Sequence, residues 1–180
     1  MKTLLMLMGC CLMLNAQVHL IDFGEKKDGP NWTVINDGVM GGLSQGQMTL
    51  QEDALFFKGV ISLKNNGGFS SCKGPFVRTD LSKAKKVRMR LKSNGVRFAM
   101  TLEMSRQFFL PYYKKEFQTK TDDWEIIEFD MADFFLYRMG QNMGRELNRD
   151  DLSKILRIGI ITSEKKEVPF QLEIDSIEFL

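Results

Sequence analysis

The stretch KKVRMRLKSNGVRFAMTLEM, Lys85 to Met104, sets the fold class. In its first half Val87, Met89 and Leu91 alternate with Arg88, Arg90 and Lys92. In its second half Phe98, Met100, Leu102 and Met104 alternate with Arg97, Ala99, Thr101 and Glu103. A period of two sends successive side chains to opposite faces, so each half reads as a half-buried strand. Ser93-Asn94-Gly95 is turn chemistry, and it predicts that the two strands pair as a hairpin.

The pattern extends in both directions. Residues 112–119 and 124–130 are strand-like and flank a polar turn, Lys120 to Asp123. Ile155 to Thr162 is a more continuous apolar run, which suits a central strand. In FQLEIDSIEFL the apolar set is Phe170, Leu172 and Ile174, then Ile177 and Phe179; the slip at Asp175-Ser176 predicts a bulge. HLIDF, ALFFKGVISL and GGFSSCK upstream are also strand-like, and residues 130–137 and 148–155 predict two short helical turns. About ten short strands separated by turn signals predict an all-β, mostly antiparallel sandwich or barrel. With no repeat, linker or low-complexity tract, residues 17–180 read as one domain.

Composition narrows the function. The chain has 180 residues, 43% hydrophobic and 27% charged, with a net charge of +2, so bulk electrostatics give no reason to expect nucleic acid. MKTLLMLMGCCLMLNA reads as a secretory signal peptide over residues 1–16, cleaved before Gln17, which makes the protein exported, periplasmic or secreted. Its apolar run is too short to span a bilayer, and no transmembrane segment is expected in the mature chain. A second export reading takes Leu7 to Cys10 as a lipoprotein signal lipidated on Cys10, but the apolar region is then very short and Met8 fits poorly, so simple cleavage ranks first. A mitochondrial presequence is excluded, because the first arginine of the chain is Arg78. Cys72 alone remains after cleavage, cannot form an internal disulfide, and reads as a buried strand cysteine.

No catalytic constellation is visible. The single histidine, His19, lies close to the expected new N-terminus, a poor place for a rigid general base. No His/Cys cluster offers transition-metal ligands, and neither cofactor nor metal is expected. Carboxylates are abundant, so a paired-carboxylate glycoside hydrolase ranks third among the functions.

Two glycine clusters stand out, NDGVMGGLSQG from Asn36 and NNGGFSSCKG from Asn65. A phosphate loop would be followed by a helix, whereas LSQGQMTLQ has strand periodicity. Tight turns remain, with Gly38, Gly41, Gly42, Gly67 and Gly68 as structural turn glycines supplying positive φ values. Asp37 reads first as an Asx turn and second as a ligand group. Val39, Met40 and Phe69 are expected to anchor the turns in the core.

These residues carry a family resemblance. Trp32 followed by Asn36, Asp37, Val39, Met40, Gly41, Gly42 and Ser44, then Phe57, Gly59, Asn66, Gly67, Gly68, Phe69 and Ser71, resembles the two signature segments of the complex I intermediate-associated protein 30 family. FQTKTDDWEIIEFDMADF, ILRIGII and VPFQLEIDSI resemble its later segments, so the likeness covers nearly the whole mature chain. It implies a galactose-binding-like jelly-roll β-sandwich. Lys73 stands where the family usually has arginine, which keeps the charge and loses the planar fork. Mitochondrial members assemble respiratory complex I, a role that does not transfer to a chain with an export signal.

The resemblance and the missing catalytic set point to a non-enzymatic binding module of the envelope, taking a protein partner or aiding complex assembly. A carbohydrate-binding module is the alternative, with Tyr112, Tyr113 and Trp124 as aromatic candidates. The candidate binding residues are Asn36, Asp37, Met40, Asn66, Ser71, Lys73, Arg138 and Arg145. The two glycine motifs and the polar loop 137–145 are expected to form one surface, with Asp37 near Lys73, Arg138 and Arg145. Lys83, Lys85, Lys86, Arg88, Arg90 and Lys92 read as a solvated basic strand edge.

Overall fold

The computed structural model describes residues 18–51, 53–120 and 122–180. The expected signal peptide and its cleavage site lie outside these residues. The described chain folds as a jelly-roll sandwich of two antiparallel sheets, with strands β1 (His19–Asp22), β2 (Thr33–Asn36), β3 (Gln45–Gln51), β4 (Ala54–Val60), β5 (Ser70–Lys73), β6 (Lys86–Ser93), β7 (Phe98–Glu103), β8 (Tyr112–Phe117), β9 (Glu125–Asp130), β10 (Phe135–Arg138), β11 (Gln141–Glu146), β12 (Arg157–Thr162) and β13 (Pro169–Phe179). The first sheet runs β3-β4-β13-β6-β9, with β1 also on β13; the second runs β11-β10-β8-β7-β12-β5-β2. The expected helical turns are a 3-10 turn at Met131–Asp133 and a helix, α1, at Arg149–Leu152, capped by Asn148.

Alternation decides the first sheet. Val87, Met89 and Leu91 point inward from β6 and are fully buried, beside Leu172, Ile174, Ile177 and Phe179 of β13. The expected bulge is present: Ile174 pairs with Leu91 but Ser176 with Arg90, so Asp175 is the extra residue. Without it Ile177 and Phe179 would face solvent. The sheets meet through aromatic contacts, among them Phe170 against Phe98 at 6.2 Å and Phe129 against Phe117 at 6.4 Å between centroids. Each buried phenylalanine contributes about 1.5–3 kcal/mol by removal from water.

The hairpin expected at Ser93-Asn94-Gly95 does not form. β6 belongs to the first sheet, between β13 and β9, and β7 to the second, between β8 and β12. Asn94 stays with β13: its amide nitrogen donates to Pro169, its oxygen accepts from the Gln171 N–H, and its own N–H donates to the Gln171 carbonyl. Gly95, at φ +80, then turns the chain over the sandwich edge. The same turn residues serve a corner and a hairpin, and only the long-range partners separate them. β7 carries the mark of that position, because Ala99 and Thr101 on its outer side are buried along with Phe98, Met100 and Leu102.

Two other expectations are corrected. The polar segment at 137–145 is a hairpin, β10 and β11, turning at Met139 and Gly140, both at positive φ. The basic strand β6 is interior rather than an edge, and its outward cations face carboxylates: Arg88 pairs with Glu128 and Glu178, Lys86 with Glu128 and Asp130, Arg90 with Asp175, and Lys92 with Glu173.

Candidate functional site

β3 is one edge of the first sheet and β2 one edge of the second, and the two glycine motifs close the sandwich between them. Asn36 makes the first link. Its side-chain oxygen accepts from the Gly46 N–H at 2.9 Å and its amide donates to the Gly46 carbonyl at 3.2 Å, as a strand partner would. The Ser70 hydroxyl donates to the same Asn36 oxygen at 2.6 Å.

Asp37 makes the second link and is 1% exposed. One carboxylate oxygen accepts from the Ser44 N–H at 2.9 Å. The other accepts from the Ser44 hydroxyl at 2.6 Å and from the Gly68 and Phe69 N–H groups at 2.6 and 3.2 Å. Ser44 Oγ in turn accepts from the Ser62 N–H. Burial pushes the Asp37 pKa up, but the Ser44 hydroxyl and the Gly68, Phe69 and Ser44 N–H groups outweigh it and hold the carboxyl below its ordinary value. Asp37 is therefore a clasp between the motifs, not an Asx turn closing on its own glycine. Among the described residues no cation lies within salt-bridge distance of it.

The glycines serve the clasp in two ways. Gly41, at φ +89, and Gly68, at φ +133, supply the positive φ expected of them. Gly42 and Gly67 do not; they supply room. A Cβ on Gly42 would lie 2.4 Å from Asp37 Cγ, and one on Gly67 would lie 2.6 Å from Asp37 Oδ2. Gly38 has open space and no positive φ. The positive φ expected near Gly67 falls instead on Asn65 and Asn66, at +55 and +58. Asn65 donates to the Gly41 carbonyl at 3.2 Å, while Asn66 is exposed.

Because Asp37 occupies the inside of the 3-10 turn Asp37–Met40, its neighbours face outward. Val39 is 75% exposed and Met40 60%, with Leu43 and Leu63 also exposed. The expected core anchoring by Val39 and Met40 is thus overturned; Phe69 is half-buried.

The other candidates are dispersed. Ser71 is buried and donates to the Ile35 carbonyl. Lys73 pairs with Glu103, not Asp37. Arg138 donates to the Phe109 carbonyl, and Arg145 lies on β11. β10 and β11 stand at the opposite edge of the second sheet from β2, so the expected surface shared by Asp37, Arg138 and Arg145 does not exist. Cys72 is fully buried, and desolvation pushes its thiol up to about 12. Its alkylation in native protein is expected to be far slower than in urea-unfolded protein, as read by iodoacetamide mass labelling; equal rates would contradict this packing.

The aromatic candidates separate as well. Tyr113 is buried, donating to Asp151 and accepting from the Asn148 N–H, which ties α1 to β8. Trp124 lies under Arg90, at 4.5 Å. Tyr112 faces outward from the second sheet, and its ring lies beside Tyr137, 6.3 Å away and 28° from parallel. Tyr137 went unnoticed in the sequence; the signal available was its alternation with Leu136 in FLYR, and what hid it was reading residues 130–137 as a helical turn and 137–145 as a loop. Among the described residues no group of three His, Cys, Asp or Glu side chains is placed to hold a metal ion, and no helix is long and apolar enough to cross a membrane.

Comparison with known proteins gives the fold relatives. A family 11 carbohydrate-binding module of the cellulosomal cellulase Lic26A-Cel5E of Clostridium thermocellum is similar at 16% identity and TM-score 0.62, over 91% of this chain and 96% of that one. A family 11 module from Clostridium thermocellum in complex with a β-1,3-1,4-mixed-linked tetrasaccharide matches at 15% identity and TM-score 0.61, over 91% and 97%. An agarase matches at 10% identity and TM-score 0.59, over 89% of this chain and 24% of the enzyme. No curated protein matches significantly. Residues 21–174, from β1 into β13 and including the whole Asp37 clasp, match the family model for complex I intermediate-associated protein 30, and the chain belongs to that family.

Proposed function

We propose that the protein is an exported, non-enzymatic binding module that docks a protein partner, in the manner of an assembly factor, through the apolar tip above the Asp37 clasp. The observation that carries this reading is the pairing of rigidity with exposure. The turn bearing Val39 and Met40 is held beneath by four hydrogen bonds to one buried carboxylate, yet its largest apolar side chains face solvent. Apolar side chains fixed on a rigid loop bind with little ordering cost. The membership of the complex I intermediate-associated protein 30 family supports association with a protein complex.

A photo-crosslinking residue at position 40 is expected to capture one discrete protein species in cells, and the same residue at position 58, exposed on the outer face of β4, none. Val39→Asp with Met40→Asp should abolish the crosslink from position 43 and shift stability by no more than about 0.5 kcal/mol, since both side chains are exposed. Identical crosslinks from positions 40 and 58 would sink the docking tip. Intact mass of exported material should begin at Gln17; a diacylglyceryl mass on Cys10 would replace that reading by a lipoprotein.

One observation favours a second reading, a carbohydrate-binding module. Tyr112 and Tyr137, both half-buried, place neighbouring rings on the outer face of the second sheet, with the Lys114 ammonium over the Tyr137 ring at 4.9 Å, and aromatic rings on a sheet face suit the C–H faces of a sugar. The family 11 modules that share the fold support it.

A further inference from the structure

On the outer face of the second sheet the strand registers place four side chains in one straight row. Arg157 of β12 lies opposite Glu103 of β7, Glu103 opposite Tyr112 of β8, and Tyr112 opposite Tyr137 of β10. Three strand spacings make this row about 14 Å long. One end is aromatic and the other is cationic. At the cationic end Lys73 passes over Gly159, where a Cβ would lie 2.9 Å from its stem, to reach Glu103. The Arg157 guanidinium stacks on the Phe76 ring at 4.4 Å, and Arg106 stacks on the same ring at 4.7 Å.

The charges at this end do not balance. Lys73 uses the one carboxylate, Glu103. Arg157 spends two donors on the Gly74 carbonyl and the Thr33 hydroxyl, and neither it nor Arg106 reaches a carboxylate among the described residues. Three cations against one carboxylate leave an excess equal to the net charge of the entire chain, +2. The contrast with the first sheet is direct, since every outward cation of β6 from Lys86 to Lys92 has a carboxylate partner. Held against the ring, Arg106 keeps its N–H edges free for a planar anion, and Arg157 keeps the Nη1 donors that Gly74 and Thr33 do not use.

We propose that this row binds an acidic glycan, with a sugar ring on Tyr112 and Tyr137 and its carboxylate or sulfate on Arg106 and Arg157. The proposal rests on the carbohydrate reading of the same face and adds the ligand's charge and the position of that charge. A neutral sugar would leave both arginines without an anion. A polyanion without sugar rings would leave the tyrosine pair unused.

Native affinity electrophoresis of the mature protein tests it, with polygalacturonate, dextran sulfate, neutral dextran and polyglutamate in the gel. At least one acidic glycan should retard the protein; dextran and polyglutamate should not. Carboxylate and sulfate are separated by which of the first two acts. Tyr137→Ala and Arg106→Glu should each weaken the retardation about tenfold, a change of about 1.4 kcal/mol. Lys58→Glu makes the same charge change on the other sheet and should leave it intact. Arg106 is exposed, so its variant keeps the fold even if Tyr137→Ala melts early. Retardation by dextran alone overturns the acidic ligand while leaving the carbohydrate reading standing. No retardation by any glycan overturns both. Equal retardation by polyglutamate, or an effect of Lys58→Glu matching that of Arg106→Glu, reduces the site to unspecific charge and overturns it.

Discussion

Asp37→Ala is expected to lower stability by about 3–5 kcal/mol, because it strands the N–H groups of Ser44, Gly68 and Phe69 and leaves the Ser44 hydroxyl only the Ser62 carbonyl as acceptor. For a chain of this size that is about 6–20 °C in melting temperature. Asp37→Asn keeps the shape but turns two donors toward the Ser44 or Gly68 N–H, and should cost about 2 kcal/mol. The pH dependence separates the carboxylate's charge from its shape. The carboxyl titrates below its ordinary value in the folded protein, so its contribution is fully present above the unfolded value, about 3.9, and fades as pH falls through the folded value. The stability gap between wild type and Asp37→Asn, from urea melts, should therefore narrow as pH drops below about 4. A gap constant down to pH 2 would mean that charge contributes nothing to the clasp.

The second large effect comes from the glycines that surround this carboxylate. Gly67→Ala places a methyl 2.6 Å from Asp37 Oδ2 and 2.8 Å from the Ser62 carbonyl, and Gly42→Ala places one 2.4 Å from Asp37 Cγ. Each should cost about 2–4 kcal/mol in urea or thermal unfolding. Neither loss is conformational, since neither glycine has a positive φ. The diagnostic is non-additivity. In an Asp37→Gly background the whole obstructing side chain is gone, including the Cβ that would lie 2.8 Å away, so Gly42→Ala should become nearly neutral. Gly41→Val, at φ +89 with open space around it, should instead cost about 1–3 kcal/mol in either background. Equal costs for Gly42→Ala with and without Asp37 would refute the packing account.

What could be read from the residues, and what could not, divides by range. The strand at Lys86–Ser93, its inward set Val87, Met89 and Leu91, and the bulge at Asp175 follow from local alternation, and the family resemblance follows from the spacing of the two glycine motifs. Their proximity was foreseeable from glycines that let backbones approach. Sheet membership was not, because Ser93-Asn94-Gly95 reads alike as a hairpin turn and as a corner; the choice rests on Pro169 and Gln171, far along the chain. Val39 and Met40 misled for a related reason: an apolar pair inside a glycine cluster suggests an anchor, but the buried position goes to the polar residue with four waiting donors. Arg138 and Arg145 were placed with Asp37 on loop convergence alone, whereas the sheet order sets them at opposite edges. The Arg157, Glu103, Tyr112 and Tyr137 row draws on four separate strands, and no local pattern records that alignment.

β13 is eleven residues long, the last strand in the described chain, and it fills the middle of the first sheet, bonded to β4 and then β1 along one side and to β6 along the other. During synthesis β1, β4 and β6 are therefore made long before the strand that joins them, and they wait with unpaired backbone and exposed apolar faces. The first sheet cannot assemble vectorially; it closes in one late step, after residues 169–179 have left the ribosome. Until then the nascent chain offers sticky edges to chaperones and to its own copies. Loss of residues beyond 168 would not fray one border of the molecule but divide the sheet at its centre.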